Sequence, residues 1–332
     1  MKPARFLILG VVLAVLSCRD STSPQFGAPV HMVIKSVIGE SAIAGGQVPI
    51  RPSVLVTDAQ DRPVPGVAVT FVIVKGGGSI EGATQTTNPS GVATVSNWTL
   101  GRNFGANSLV ASSGDLPPLV FEIMGFAPDA GVVAFDIADP AGDTMPHNDT
   151  LPPAVDLLRM RGDFKRDSLI LTMTFASPVR PANAVARNSI GGEIELDMDD
   201  NTSTGYVPPD SNLFGASAVL GVDYNVDLFD AFPKVLLLLS GTGMAQVAIS
   251  YPGNSVIIRI PLHLLGDDDG NFALAAVIGP YVWASDLFPN AGQLVVRREV
   301  GATAIVVQQS IMLRETRSRG MLAPAVAFSV RH

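Results

Sequence analysis

The apolar and polar positions of this chain alternate in short runs, and turn residues separate the runs. VPIRPSVLVTD at 48–58 is one run, DRPVPG at 61–66 is the turn after it, and VAVTFVIV at 67–74 is a β-branched run that GGGSI ends. GVATVSNWTL, NSLVASS and PPLVFEIMG continue the series to residue 125. Past a Pro- and Gly-containing stretch, SLILTMTFA places Leu169, Leu171, Met173 and Phe175 on one face. GEIELDMD sets Ile194, Leu196 and Met198 opposite Glu193, Glu195 and Asp197, and SVIIRIPLHLL aligns Val256, Ile258 and Ile260. Period two with one apolar face predicts half-buried antiparallel strands. No run longer than about ten residues carries a helical period. The pattern predicts an all-β protein of two β-sandwich domains.

The two blocks set the domain limits. Residues 31–126 form the first domain, 127–132 (APDAGV) a hinge-like linker, and 133–299 the second domain. Residues 300–332 are a tail in which TAIVVQQSIML could add a strand and RETRSRG is basic. Residues 19–30, RDSTSPQFGAPV, are polar with Pro and Gly and read as a tether.

Ahead of the tether, residues 1–18 have the form of an export signal. Lys2 and Arg5 precede eleven apolar residues, Phe6 to Leu16. That is too short for a membrane span, which needs about 20 residues. The run ends in V-L-S-C, which resembles the lipobox of bacterial lipoproteins. The resemblance implies that Cys18 takes the lipid and holds the chain at the cell envelope, at the outer membrane or cell surface. Cys18 is the only cysteine in the chain, so no disulfide can form within a monomer.

Composition narrows the partners. The net charge is −8, and the basic run RMRGDFKRD is interrupted by acids. Nucleic acid is excluded as a partner, because phosphate binding needs a clustered positive field. Gly and Pro are frequent, at 32 and 25 residues, which suits a strand-and-turn chain.

DAQDRPVPGVAVTFVIVKGGG from Asp58 to Gly78, then T-x-x-x-G-x-A from Thr87, W-x-L-G from Trp98 and G-x-N from Gly105, resemble a bacterial Ig-like domain of the invasin/intimin type. The resemblance implies a spacer that holds a distal module away from the surface. The second block carries D-P-A-G-D at 139–143, Asp156, D-x-D-x-N-x-x-T-G at 197–205, G-V-D-Y at 221–224 and D-x-x-P-N-x-G at 286–292. This order is similar to DOMON domains and family-nine carbohydrate-binding modules, and it implies a larger sandwich with a binding role.

Asp197, Asp199 and Asn201 stand at i, i+2 and i+4, a spacing that can converge oxygen ligands on calcium. A hard cation there would need further oxygens, and the resemblance offers Asp143, Asp156 and Asp286. The same residues also read as an Asx-rich turn whose side chains bond their own backbone. EF-hand loops share the opening, but Thr202 and Pro208 stand where such a loop needs Gly and an acid. DDDG at 267–270 reads as a solvated turn. GGG at 76–78 reads as a strand-ending turn, since no helix start or Lys follows it. RGD at 161–163 falls in what reads as a hairpin turn.

Catalysis finds no constellation in the sequence, and the chain reads as a non-enzyme. The histidines, His31, His147, His263 and His332, form no metal-protease motif, and His263 falls in a predicted strand beside Asp267. No nucleotide-binding loop is present, and Met145 and His147 form no haem pattern. Sugar recognition needs exposed aromatic rings. Tyr281 and Trp283, at i and i+2 of one strand, and Tyr206 beside the acidic loop are the candidates, with a core role for Trp283 as the competing reading. The sequence reads best as a lipid-anchored surface binding module for polysaccharide. The alternative is a structural or adhesive surface protein that recognises another protein.

Overall fold

The computed structural model describes residues 26–145, 154–182, 188–201, 203–206, 220–229, 235–238, 243–266, 270–280, 285–290, 292–298 and 305–309. These residues are almost entirely strand and turn, and none lies in an α-helix. No helix among them is long and apolar enough to cross a membrane.

The first sandwich contains β1 (His31–Ile34), β2 (Ser41–Ile43), β3 (Ser53–Thr57), β4 (Ala68–Lys75), β5 (Gly78–Glu81), β6 (Thr84–Thr86), β7 (Val92–Thr94), β8 (Asn97–Leu100), β9 (Gly105–Ser113) and β10 (Leu116–Phe126). One sheet has the order β1-β3-β7, the other β2-β10-β9-β4-β6, and β5 pairs with β8 alone. The core between them is built on alternate residues: Val54 and Val56 of β3, Val69 and Phe71 of β4, and Phe121 and Ile123 of β10, with Trp98 fully buried. Gly76, Gly77 and Gly78 all take positive φ, at +83°, +71° and +96°. A Cβ at Gly78 would lie 2.2 Å from the Thr99 carbonyl oxygen. The triplet therefore turns the chain tightly from β4 into β5, as a strand-ending turn should.

Asp58 closes the turn after β3. Its buried carboxylate accepts from the backbone N–H of Gly27, Gln60 and Arg62 at 2.9, 3.0 and 3.0 Å and from Arg62 Nε at 2.8 Å. Burial alone would raise its pKa, but these donors together hold it well below the usual carboxylate range. A carboxyl whose pKa is depressed by folding stabilises the fold above its unfolded pKa of about 4, and that contribution is lost as pH falls below it. Asp58→Asn should therefore be less stable than wild type at pH 7. The gap should close on acidification below about pH 4. Acid titration followed by near-ultraviolet circular dichroism checks this, and a gap that does not narrow refutes it.

The second sandwich contains β11 (Val132–Ala138), β12 (Leu157–Lys165), β13 (Ser168–Phe175), β14 (Arg180–Pro181), β15 (Ser189–Asp197), β16 (Tyr224–Asp227), β17 (Val235–Leu238), β18 (Met244–Gln246), β19 (Ala248–Ser250), β20 (Ser255–Pro261), β21 (Phe272–Pro280), β22 (Asp286–Phe288), β23 (Leu294–Arg298) and β24 (Ile305–Gln309). The first sheet runs β11-β12-β13-β20-β19; the facing sheet runs β18-β17-β16-β15-β21-β23-β24, with β14 on β15 and β22 on β21. Leu169, Leu171, Met173 and Phe175 of β13 and Val256, Ile258 and Ile260 of β20 meet Ile194, Leu196, Phe272 and Leu274 of the facing sheet in one core. The aligned faces expected from period two are the ones buried. β24 pairs with β23 across five positions, so the sandwich continues past residue 299 into the tail.

Three local expectations differ. Strand β15 is covered on both faces rather than half-buried: Leu220, Val222, Ala273, Ala275 and Val295 form a small apolar cluster on the outer face of its sheet. RGD lies inside strand β12, not in a turn. The turn is at Arg166–Asp167, and Arg161 is bound by Asp163 at 2.6 Å and Asp136 at 3.1 Å. The strand through SVIIRIP ends at Pro261, whose fixed φ precedes a 3-10 turn at Leu262–Leu265 that holds His263.

The segment read as a hinge-like linker is pinned. Ala127 is buried in the second core, its N–H donates to the Arg166 carbonyl at 3.0 Å, and Gly131 N–H donates to the Pro128 carbonyl at 2.9 Å. Phe104, from the turn between β8 and β9, also enters the second core, where its ring lies 4.9 Å from that of Phe164.

Candidate functional site

The acidic loop follows β15. Inward Leu196 and Met198 hold the strand on the core, which leaves Asp197 pointing to the opposite face of the sheet. There it is fully buried, with Gly221 and Asn201 N–H donating to it at 3.1 and 3.2 Å. Asp199 accepts from Asn201 N–H at 3.0 Å and from the Thr204 hydroxyl at 2.8 Å. Asn201 Oδ1 accepts from Ser203 N–H at 3.1 Å. Asp223, from G-V-D-Y, accepts from Met198 N–H at 2.9 Å. One carboxylate oxygen from each of Asp197, Asp199 and Asp223 lies within 4.8 Å of the others. Asp223 was not among the residues singled out in the sequence. It entered only as the acid of the G-V-D-Y motif at 221–224, with no ligand role assigned to it.

The charges crowd one another. Burial raises the Asp197 carboxyl to about 6 against the pull of its two N–H donors, and Asp199 adds to the rise. Burial likewise raises Asp223, opposed by Met198 N–H, with the charge of Asp199 adding to the rise. Arg297 of β23 pairs with Asp200, the loop residue outside this group. The three oxygens have the chemistry of a hard-cation site, since calcium takes carboxylate and carbonyl oxygens at about 2.3–2.6 Å. The backbone donors satisfy part of the same oxygens, so the loop is also a well-bonded Asx turn.

Tyr206 stands beside this loop. Its backbone forms a bridge with Val222, N to O in both directions at 2.8 and 2.9 Å, one residue before Asp223. Its side chain is exposed. Tyr281 and Trp283 lie outside the described residues, as do Cys18, His147 and the DDD of 267–269. The structure does not gather Asp143, Asp156 and Asp286 at the loop: Asp143 and Asp286 converge instead with Asp139 in a second group, with Asp156 hydrogen-bonded to the same turn.

Along the outer face of β15 and β16, Glu193 accepts from Asn225 Nδ2 at 3.0 Å, and Glu195 is buried opposite Asn225. Burial first and the charge of Glu193 second push Glu195 to about 7. The alternation predicts acids on this face. It does not predict that the face is covered.

No protein-family model matches the chain, and no curated protein does. Among solved structures, the D0-D1 domain of intimin is 12% identical over 80% of this chain and 96% of that one, with a TM-score of 0.27. The C-terminal 282-residue fragment of intimin, solved in complex with the intimin-binding domain of its translocated receptor, is 13% identical over 70% and 100%, with a TM-score of 0.26. The Yersinia pseudotuberculosis adhesin InvE is 13% identical over 80% and 59%, with a TM-score of 0.27. At such scores the likeness carries no argument about activity, and the all-β sandwich architecture rests on the chain's own strands.

Proposed function

We propose that this chain is an exported surface protein, lipid-anchored through Cys18, whose Ig-like first sandwich carries a second sandwich that binds a glycan without turning it over. Calcium at Asp197, Asp199 and Asp223 orders the binding loop. The second sandwich takes the role that its DOMON and family-nine resemblance implies. One observation carries this reading: an exposed tyrosine ring is held by a backbone bridge next to a converging carboxylate group. An aromatic ring offers a platform for the apolar face of a sugar, and the ion would fix the loop that presents it. Affinity should be modest, because stacking and a few hydrogen bonds must offset desolvation and ordering.

The test uses the mature chain on a glycan array in calcium-containing buffer. Tyr206→Ala should weaken binding about tenfold, the loss of roughly 1.4 kcal/mol, while the melting temperature stays within about 1 °C. Unchanged affinity in Tyr206→Ala would remove Tyr206 from the site. Mass spectrometry of the membrane fraction should find an acyl group on Cys18, and its absence removes the anchor.

Protein recognition is the second reading, and a different surface favours it. Val72 of β4, Val110 of β9 and Val120 of β10 are cross-strand neighbours on the outer face of the first sandwich. Val72 and Val120 are 50% and 48% exposed, and nearby Val74 is 59% exposed. An exposed apolar row on a sheet face suits a protein partner better than a sugar. An array on which the wild type binds no glycan decides for this surface.

A further inference from the structure

The second acidic group is built differently from the loop at Asp197. Asp139 follows β11, Asp143 ends the D-P-A-G-D turn and Asp286 opens β22. One carboxylate oxygen from each lies within 4.8 Å of the others. Asp156, just ahead of β12, fastens the turn by accepting Gly142 N–H at 3.1 Å on both its oxygens. Asp286 is fully buried, and its two oxygens accept Leu157 N–H at 2.6 Å and Leu287 N–H at 2.9 Å. Asn290 Nδ2 donates to Asp143 at 2.7 Å and to Asp139 Oδ1 at 3.3 Å.

Asp139 has an oxygen left over. Its side chain is 8% exposed, and its Oδ2 is buried with no hydrogen-bond partner. A buried carboxylate oxygen without a donor is costly, and natural folds leave few of them. Among the described residues, no Lys or Arg pairs with Asp139, Asp143, Asp156 or Asp286. The fold thus concentrates negative charge at one point, with no positive side chain among the described residues paired to it. Burial and the neighbouring charges of Asp286, Asp143 and Asp156 push Asp139 up to about 7. A proton could relieve one charge; a cation would relieve all of them and give Oδ2 a partner.

We propose that Asp139, Asp143 and Asp286 bind a hard divalent cation of calcium's size, independently of the loop at Asp197. Oxygens bound to one calcium ion at about 2.4 Å stand at most about 4.8 Å apart, and the three carboxylate oxygens lie within that limit of one another. An all-oxygen, carboxylate-rich set selects calcium or manganese over zinc, which prefers nitrogen and sulfur. The ion ties the turn after β11, the lead into β12 and the start of β22. It therefore joins an edge region of the first sheet to a strand of the facing sheet.

Calcium binding to the full mature chain, measured by equilibrium dialysis with terbium luminescence as a second readout, tests this. The wild type should bind two ions. Asp143→Asn, at an exposed position, should weaken one of them at least tenfold while near-ultraviolet circular dichroism stays native. Asp139→Asn should do the same, and Asp197→Asn should affect the other ion only. Asp143→Asn and Asp139→Asn that both keep wild-type stoichiometry and affinity would overturn the proposal. If the single ion lost is the one at Asp197, this site falls and the loop stands. If Asp197→Asn changes nothing while Asp143→Asn abolishes binding, the loop falls and this site stands.

Discussion

Phe164→Ala should destabilise the protein by about 3–5 kcal/mol and break one melting transition into two. Phe164 is fully buried near the end of β12, and its ring meets two others from different parts of the chain. Phe272 of the facing sheet lies edge-on at 6.0 Å with an interplanar angle of 89°. Phe104, from the first sandwich, lies at 4.9 Å. Removing the ring leaves a cavity that the two sheets and the incoming turn cannot all close, so the cavity cost adds to the lost burial. For a domain of this size each kcal/mol lowers the melting point by about 2–4 °C, so the second sandwich should melt at least about 6 °C lower. Phe104→Ala separates the two roles of the joint. It should also split the transition, but it should leave the second sandwich melting much nearer to wild type. Differential scanning calorimetry distinguishes these outcomes. A Phe164→Ala profile that remains a single transition at the wild-type temperature would show that the ring holds neither the core nor the joint.

The core of each sandwich was legible because side chains on a strand alternate and these strands keep the alternation. Leu169, Leu171, Met173 and Phe175 bury as their spacing demands, and the sheet pairs β13 with β20 on the matching face. The acidic faces were legible only in part. Glu193, Glu195 and Asp197 alternate with apolar residues, which places them on the other side of the sheet. It cannot tell that Leu220 and Val222, more than twenty residues on, help cover that side. Asp139 and Asp286 stand far apart in sequence, and nothing in the composition of either segment says that they meet. A signal was present even so: Asp139, Asp143, Asp156 and Asp286 each begin or end a strand or turn, with no basic residue beside Asp139, Asp143 or Asp286. The pinned linker was hidden for a similar reason. F-A-P-D-A-G has the composition of a free hinge, and tertiary contacts, among them the burial of Ala127 and its bond to the Arg166 carbonyl, fix it.

Calcium should change the stability of the second sandwich as much as a core mutation does. An ion that binds only the folded state stabilises it by about 2.7 kcal/mol at one hundred times its dissociation constant. At about 2–4 °C per kcal/mol that is roughly a 5–11 °C rise in melting temperature. The sign follows from the site. Burial already raises the Asp197 carboxyl to about 6, because the fold crowds its charge without balancing it. A divalent cation reverses that cost and holds the carboxylates ionised. Asp197→Ala removes a buried ligand and the acceptor for Gly221 and Asn201 N–H, so this variant should melt lower even in chelator. Asp199→Ala, at an exposed loop position, is the cleaner probe: it should melt close to wild type in chelator and gain less from calcium.

The central claim is that the second sandwich is a calcium-ordered binding module, and calorimetry of the wild-type mature chain in saturating calcium against excess chelator tests it most directly. Calcium should move the single wild-type transition up by about 5 °C or more, and Asp199→Ala together with Asp143→Asn should abolish the shift. A wild-type transition at the same temperature in calcium and in chelator would contradict it, and would leave DMDDNTSTGY a hydrogen-bonded turn.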